Sequence, residues 1–472
     1  MNTAYQKIVL SLKRRRNGCA AADVCAATAL PLETVRELLP KIADEYSGHL
    51  QVTQSGEILY TFPNGFTSRY RGLFPAFKKL AAKCAVVTRT VLVFLFKMWI
   101  MLMLTGYFVL FLAIAIAGVV ISVSARNSGG RRSGGVFAGP NLFGFLWRLW
   151  FFSEVTKPRY GYETVMRKNS EEKRPMHKAV FSFVFGEDDP NSGWEERESK
   201  AVIAYIQANR GVISLAEYMA FSGKDSCGAE ESLLAFCAKY GGSPEVTDEG
   251  TIVYRFDDLL LRANTRDFAE LSPPVKRLKK FSANSKKMNG AFIAINAVNL
   301  IFGTYFLYHS FSVQPSSYLY GLVYYILGVF ASDPASIIKL VLGLIPLVFS
   351  VLFWLIPAAR RFMENRENEK IKLSNYKRLG FGKIWTAPVN VELSSLVPVS
   401  GECRPKNLAA AGDRVVKDMG AVSSPEVEKG ENGKFFYSFR ELEYEKRALQ
   451  KYRANLDPAR ARLGKKVFDT AE

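Results

Sequence analysis

Residues 98–125 read MWIMLMLTGYFVLFLAIAIAGVVISVSA and carry no charged side chain. One bilayer crossing takes about 20 apolar residues, so this run is long enough for one. The stretch before it, 86–96, is apolar apart from Arg89, and Lys97 separates the two. Two arrangements fit: a single span entered by an interfacial helix, or a hairpin of two short spans. The hairpin would hold Lys97 in mid-membrane at a cost of about 2.5–3.5 kcal/mol, which favours the single span. Further along, a second block at 290–358 offers spans at Ala291–Phe311 and Ile337–Pro357. Lys339 lies near the end of the latter, where its stem can snorkel. Between them, residues 318–331 (YLYGLVYYILGVFA) are too few for a crossing and read as re-entrant or interfacial. Asn296 and Asn299 share one helix face, where polar groups turn toward other spans and hydrogen-bond to them.

The chain has 472 residues, a formal net charge of +19 and 49% hydrophobic residues. That apolar content excludes a disordered chain. A surplus of this size points to nucleic acid or to an anionic membrane surface, and its location decides between them. Residues 66–97 hold seven bases and no acid. Arg126, Arg131 and Arg132 follow the first block. KRLKKFSANSKK (276–287) holds six bases, and 358–384 a net five. Together these runs exceed the whole surplus, so the charge reads as a juxtamembrane collar facing anionic headgroups. By the positive-inside rule 276–287 and 358–384 are cytoplasmic. The first block is basic on both flanks, so the side on which residues 1–65 lie stays open. MNTAYQKIVLSLKRRR shows no apolar core ahead of a cleavage site, and no secretory signal is expected.

Candidate chemistry is sparse. The six cysteines form no Cys-x-x-Cys pair, and there are only three histidines, His49, His177 and His309. A structural zinc site needs four clustered ligands, and no metal or other cofactor is expected. No phosphate-binding Gly loop, Gly-x-Ser-x-Gly elbow or His-Glu-x-x-His motif occurs. GGRRSGG (129–135) reads as a linker, and the aromatic run 141–152 as a membrane-surface segment.

A small module recurs. VTQSGEILYTF (52–62) matches VTDEGTIVYRF (246–256) at six positions, and a degenerate third copy ends in GKFFYSF (433–439). Gly56, Gly250 and Gly433 supply the turn of a hairpin. Tyr60, Tyr254 and Tyr437, with Phe62, Phe256 and Phe439, occupy its second strand, where Ile58, Tyr60 and Phe62 alternate onto one face. Upstream lie helical patterns at 7–16, 21–28 and 32–46, the last interrupted by Pro40, and at 199–209, 215–221 and 229–240. Three helices followed by a hairpin is a winged-helix layout. Such modules often bind DNA, but the third helix of the first copy is acidic on balance, with Glu33, Glu37, Asp44 and Glu45 against Arg36 and Lys41. Phosphate contacts need bases there, so nucleic acid is an unlikely partner.

The tract HKAVFSFVFGEDDPNSGWEERESKAVIAYIQANRGVIS (177–214) resembles a family of uncharacterised bacterial and plastid membrane proteins. The matching residues are Phe181, Phe183, Phe185, Gly186, Asp189, Pro190, Asn191, Glu196, Arg197, Ile203, Ile206, Asn209, Gly211 and Val212, with Ile356, Pro357, Arg360, Arg361, Asn368 and Asn375 further on. Phe439 and Leu442 resemble the family's C-terminal end. Some members carry a name linking them to iron–sulfur cluster assembly, a role for which this chain has no ligand spacing. The resemblance therefore implies architecture and not activity. Asp189-Pro190-Asn191 reads as an acidic turn capping the next helix, the alternative being a cation or partner site built from Glu187, Asp188 and Asp189.

The sequence thus leads to an α-helical membrane protein with three small α+β winged-helix-like modules, each of helices plus a C-terminal β-hairpin. The expected divisions are module 1 at 1–65, the first membrane block and its basic linker at 66–125, and linker, aromatic segment and tract at 126–195. Module 2 follows at 196–266, a basic linker at 267–289, the second membrane block at 290–358, and module 3 with its linker at 359–472. A multi-pass protein of the bacterial inner membrane is expected, with modules 2 and 3 cytoplasmic. It would be non-enzymatic and act as a scaffold for a protein partner or for self-association. The alternatives are a membrane-tethered transcription regulator and a metal or iron–sulfur assembly factor, the latter resting on Cys227 and Cys237.

Overall fold

The computed structural model describes residues 3–14, 18–63, 65–66, 73–126, 174–263, 273–312, 317–392, 396, 401–430, 435–457 and 462–470. The runs 129–135 and 141–152 and the turn residue Gly433 lie outside them. The chain divides into two compact units. One is Met1–Pro75, Asp189–Lys279 and Arg366–Glu472; the other is Ala76–Asp188 and Lys280–Asn365.

The first unit begins with α1 (Thr3–Lys13), α2 (Ala21–Thr28) and α3 (Leu32–Glu45), followed by the hairpin β1 (His49–Thr53) and β2 (Ile58–Thr61). Pro40 sits inside α3, which continues through it. Module 2 contributes α6 (Trp194–Ala208), β3 (Val212–Ser214), α7 (Leu215–Ser222), α8 (Ser226–Tyr240), β4 (Ser243–Val246) and β5 (Ile252–Arg255). The C-terminal part adds β6 (Val391–Glu392), α12 (Leu408–Gly420), β7 (Glu426–Lys429), β8 (Phe435–Ser438), α13 (Arg440–Asn455) and β9 (Lys466–Asp469).

The three hairpins share one topology. In module 2 the sheet order is β3-β5-β4, and in the C-terminal part it is β6-β8-β7. In module 1 the counterpart of β3 is a single bridge at Cys19. Each repeat tyrosine stands opposite this extra strand: Cys19 faces Tyr60, Ile213 faces Tyr254 and Val391 faces Tyr437. The third copy, degenerate in sequence, is complete in strand order. β9 pairs antiparallel with β1 and so extends the module 1 sheet at its hairpin edge. An open strand edge invites foreign pairing, and here the chain covers it itself.

One hydrophobic core joins all three parts, from Ile8 and Leu39 through Ile206, Phe236 and Phe256 to Phe381, Val415 and Leu442. Both faces of β5 are occupied. Tyr254 faces this core, while Val253 packs with Val212 and Leu449 of α13. The alternation expected for Ile58, Tyr60 and Phe62 therefore describes only one side. Leu59 on the other side is also buried, and Ile58 at the tip is exposed.

The second unit is helical. α4 (Leu73–Arg126) is one unbroken helix, so neither the hairpin nor a separate interfacial helix forms. No glycine and no internal proline interrupts residues 76–105, and nothing in that stretch favours a reversal. Its apolar part, Cys84–Val123, is 40 residues, about 60 Å at 1.5 Å per residue and twice a hydrocarbon core of about 30 Å. The other elements are α5 (Met176–Phe185), α9 (Lys286–His309), α10 (Tyr318–Gly328) and α11 (Pro334–Thr386). α4, α9 and α11 are each long and apolar enough to cross a membrane; α10 is short, in keeping with a segment that does not span. α11 is π-helical over Ile338–Leu344 and runs on through Pro357, so the expected boundary at 358 falls inside a helix.

Two layers of side chains hold this bundle. At one end Ile100, Met101 and Leu104 pack with Ala179, Val180 and Phe183 of α5, Phe292 and Phe353. At the other, Phe111 stacks on Phe302 and Phe306 at 5.2 and 5.9 Å, beside Tyr320 and Ile338. α4 and α9 thus run parallel and α11 antiparallel to them. α9 and α11 touch through glycines. A Cβ at Gly303 would lie 3.0 Å from the Leu347 amide nitrogen, and one at Gly343 would lie 3.0 Å from the Leu307 Cα, the small-residue contact typical of membrane helices. Asn296 and Asn299 are fully buried. Each donates to a carbonyl of another helix, Ser350 at 2.9 Å and Leu104 at 2.8 Å.

Candidate functional site

The repeat glycines have two separate causes. Gly56 and Gly250 sit at the hairpin turns with φ of +78° and +83° and open space around them, so conformation alone selects glycine. Gly48 and Gly242, fourteen residues before Phe62 and Phe256, are selected by space. A Cβ at either would strike the ring of its phenylalanine. Phe256 and Phe439 also anchor their backbones to the start of each module, donating to the carbonyls of Gly211 and Pro388 at 2.8 Å. These motif residues build the hairpins of the modules.

The tract residues do two different things. In the second unit, Phe185 ends α5 and Gly186 terminates it at φ +86°. A Cβ there would collide with the Arg360 guanidinium, which reaches the last carbonyls of α5, Ser182 at 3.4 Å and Phe183 at 3.0 Å, and also the carbonyl of Phe281 at 2.7 Å. In the first unit, Asp189 accepts from the Asn191 amide at 2.9 Å, an Asx turn around Pro190. This turn does not cap α6 with a side chain, because the capping position is Gly193. Asp189 turns instead to the Lys279 ammonium at 3.3 Å.

Asn191 holds part of a more unusual feature. The basic segment 273–280 belongs to no helix or sheet, yet three asparagine amides grip its backbone at both polar groups. Asn375 takes the N–H and C=O of Lys276 at 2.9 and 2.8 Å. Asn191 takes those of Arg277 at 3.0 and 2.8 Å. Asn368 takes those of Lys279 at 2.8 and 2.9 Å. The register is geometric. Asn368 and Asn375 are seven residues apart on α11, about 10.5 Å along a helix, and three extended residues span about 10 Å. Each side-chain amide thus does for this strap what a neighbouring strand would do.

The strap borders an open cleft of about 510 Å³ lined by Asp189, Trp194, Glu195, Lys276, Lys279 and Glu367, among others. The Trp194 indole lies within cation–π reach of Arg378 (4.6 Å), Lys276 (5.1 Å) and Arg197 (5.6 Å). Arg378, 1% exposed, donates to the carbonyls of Phe221 and Ser222 and to Glu198 at 2.7–2.9 Å. Burial first, and the Arg378 charge second, hold the Lys276 ammonium below the usual lysine range. Hydrogen bonding to Glu367 outweighs burial at Lys279 and raises it.

Sequence reasoning passed over Trp194, Lys276 and Arg378 as individuals; Asn368 and Asn375 were visible only as matches to a family. The sole sequence signal for the clamp is the seven-residue spacing of two asparagines on one helix face. Part of the basic collar also acts internally, since Lys279, Arg360, Lys377 and Arg378 all pair with carboxylates of the protein. Among the described residues no three His, Cys, Asp or Glu side chains gather as a metal site. Of the two cysteines on which an assembly factor would rest, Cys227 is exposed and Cys237 buried, its thiol pushed up to about 11 by burial. The arrangement offers a charged and aromatic surface.

The chain is similar to an uncharacterised chloroplastic protein of Arabidopsis thaliana, 26% identical over 404 residues, which cover 78% of this chain and 69% of that one. No family model matches the chain, and no solved structure does.

Proposed function

We propose that this is a non-enzymatic, multi-pass membrane protein whose three winged-helix-like modules form one interaction platform for a protein partner or a second copy of the chain. The observation that carries the reading is the shared core. Modules that fold as one body from segments interleaved with membrane helices have to lie on one side of the bilayer. The strand order repeated three times supports the winged-helix-like reading.

The positive-inside rule makes that side the cytoplasmic face of a bacterial inner membrane, with the collar bases beside anionic headgroups. DNA binding is disfavoured because α3 packs against α8. Tyr240 of α8 donates to the Ala29 carbonyl ahead of α3 at 2.9 Å, and Arg36 pairs with Asp258 at 3.1 Å. The hairpin ends offer surface for a partner, with Val246, Ile252, Val427 and Phe435 as exposed apolar residues.

The test has two parts. Cys227, exposed in the platform, should resist a membrane-impermeant maleimide in intact spheroplasts and react after permeabilisation. In-cell crosslinking with mass spectrometry should recover a reproducible partner through residues flanking the hairpins. Labelling of Cys227 from outside would overturn the topology. Crosslinks scattered evenly over the surface would overturn the platform.

A further inference from the structure

A second hollow lies in the helical unit, where α5 meets α4. It has a volume of about 570 Å³ and is lined by Lys97, Arg174, Lys178, Phe181, Glu187 and Asp188, among others. Its lining is net positive, and the positive charge is unevenly answered. Arg174 pairs with Glu187 at 2.6 Å. Burial works to raise Glu187, but hydrogen bonds from Ser182 and Arg174 outweigh it and keep the carboxyl below the usual range. Among the described residues neither Lys97 nor Lys178 has an ion-pair partner. Lys97 is half-buried in an otherwise apolar stretch of α4, its ammonium 4.3 Å from the centre of the Phe181 ring. A cation so placed calls for an anion that the described residues do not supply.

The rim shows what kind of anion. Phe181 lies 5.0 Å from Phe185, Phe185 lies 5.8 Å from Phe96, and Phe96 lies 6.1 Å from Trp99. Phe185, Phe96 and Trp99 are all exposed. This aromatic ridge runs along α4 into the stretch read above as a membrane span. Ammonium groups in a hollow beside an exposed aromatic ridge match an amphipathic anion, phosphate to the lysines and acyl chain to the rings. We propose that this hollow holds the phosphate headgroup of one anionic phospholipid, with Lys97 and Lys178 as its ligands. The proposal rests on the membrane reading above and adds to it a specific lipid site.

Native mass spectrometry of the full chain in detergent, titrated with phosphatidylglycerol, phosphatidylcholine or inorganic phosphate, tests it. One phosphatidylglycerol should be retained in preference to phosphatidylcholine, and inorganic phosphate should not displace it. Lys97→Gln/Lys178→Gln should weaken retention roughly 10-fold or more, whereas Lys286→Gln/Lys287→Gln, which removes the same charge outside the hollow, should change it by less than about 2-fold. Lys97→Arg/Lys178→Arg should restore binding and so separate loss of the site from loss of the fold. Equal weakening by both glutamine pairs would make the attraction diffuse and overturn the site. Displacement by inorganic phosphate would make it a free-anion site and overturn the lipid. Recovery of the unmodified protein in the soluble fraction would instead defeat the membrane reading itself.

Discussion

Asn375→Ala should release the basic strap. Asn375 is fully buried and makes two hydrogen bonds to Lys276, at 2.9 and 2.8 Å. A net hydrogen bond contributes about 1 kcal/mol, and a buried backbone group left without a partner costs about 1–3 kcal/mol. Water entering the open cleft can satisfy part of that deficit, so local opening of the strap should become easier by about 2–3 kcal/mol. If cleavage follows the population of the opened state, the rate rises roughly 30- to 150-fold. The assay is built into the sequence, because Lys276, Arg277, Lys279 and Lys280 are all trypsin sites. Limited trypsinolysis of the full chain in detergent, followed by peptide mapping, reads cleavage at these bonds against cleavage elsewhere. Asn368→Ala, at a half-buried position, should accelerate cleavage by about 10-fold. Asn375→Asp keeps an acceptor for the Lys276 N–H but turns a carboxylate oxygen toward the Lys276 carbonyl, and should fall near Asn375→Ala. Strap cleavage in Asn375→Ala at the wild-type rate would refute the clamp.

Glu445 is pushed up to about 7 by burial, with the Ser214 hydroxyl pulling against it and the Glu217 charge adding to it. Its folded pKa exceeds its unfolded one, so the stability it contributes is full below about pH 4.5 and is lost as pH rises through 7. Glu445→Gln should remove that slope and stabilise the protein at pH 8 by up to about 3 kcal/mol; an unchanged pH profile in chemical denaturation would count against it. Arg453 meets Glu217 through two bonds, at 3.0 and 2.7 Å, and also donates to the Val212 carbonyl at 2.8 Å. Arg453→Ala leaves a carboxylate that is 2% exposed without its cation, held by the Tyr205 hydroxyl and the Ser214 amide, and should cost about 3 kcal/mol, read as faster hydrogen exchange at 212–214. Gly343→Leu drives a side chain into the Leu307 backbone and should destabilise the helix pair by about 1–3 kcal/mol; an unshifted melting temperature in detergent would refute the contact. Gly242→Ala meets the Phe256 ring in the same way and should lower the stability of the first unit by about 1–3 kcal/mol, measured by the same melts.

The legible parts of this chain are those with a local cause. Runs of 20 or more apolar residues announce helices that can cross a membrane. Gly56 and Gly250 announce turns, because their φ is closed to other residues. What stayed hidden depends on partners distant in sequence. β3 and β6, of three and two residues, are too short to show a period. β9 finds β1 across more than 400 residues, and no local pattern encodes that choice. α4 was hard to read for the opposite reason, since its apolar composition fits two half-length helices as well as one whole one.

The bases show why composition underdetermines a site. In the sequence, Arg378, Lys279 and Lys97 are equivalent members of a collar. In the protein, Arg378 is a buried strut between two carbonyls and Glu198, Lys279 is a bridge between Asp189 and Glu367, and Lys97 has no carboxylate partner among the described residues. Only the last kind of base is available to an outside anion. The strap sharpens the distinction. Its backbone is fixed by neutral amides, which set the positions of Lys276, Arg277 and Lys279 without neutralising any of them. A clamp of carboxylates would cancel the charge of the segment and would have no donor for its carbonyls. Asparagines at 191, 368 and 375 hold the segment without touching its charges, and it is Asp189 and Glu367 that answer the one at Lys279.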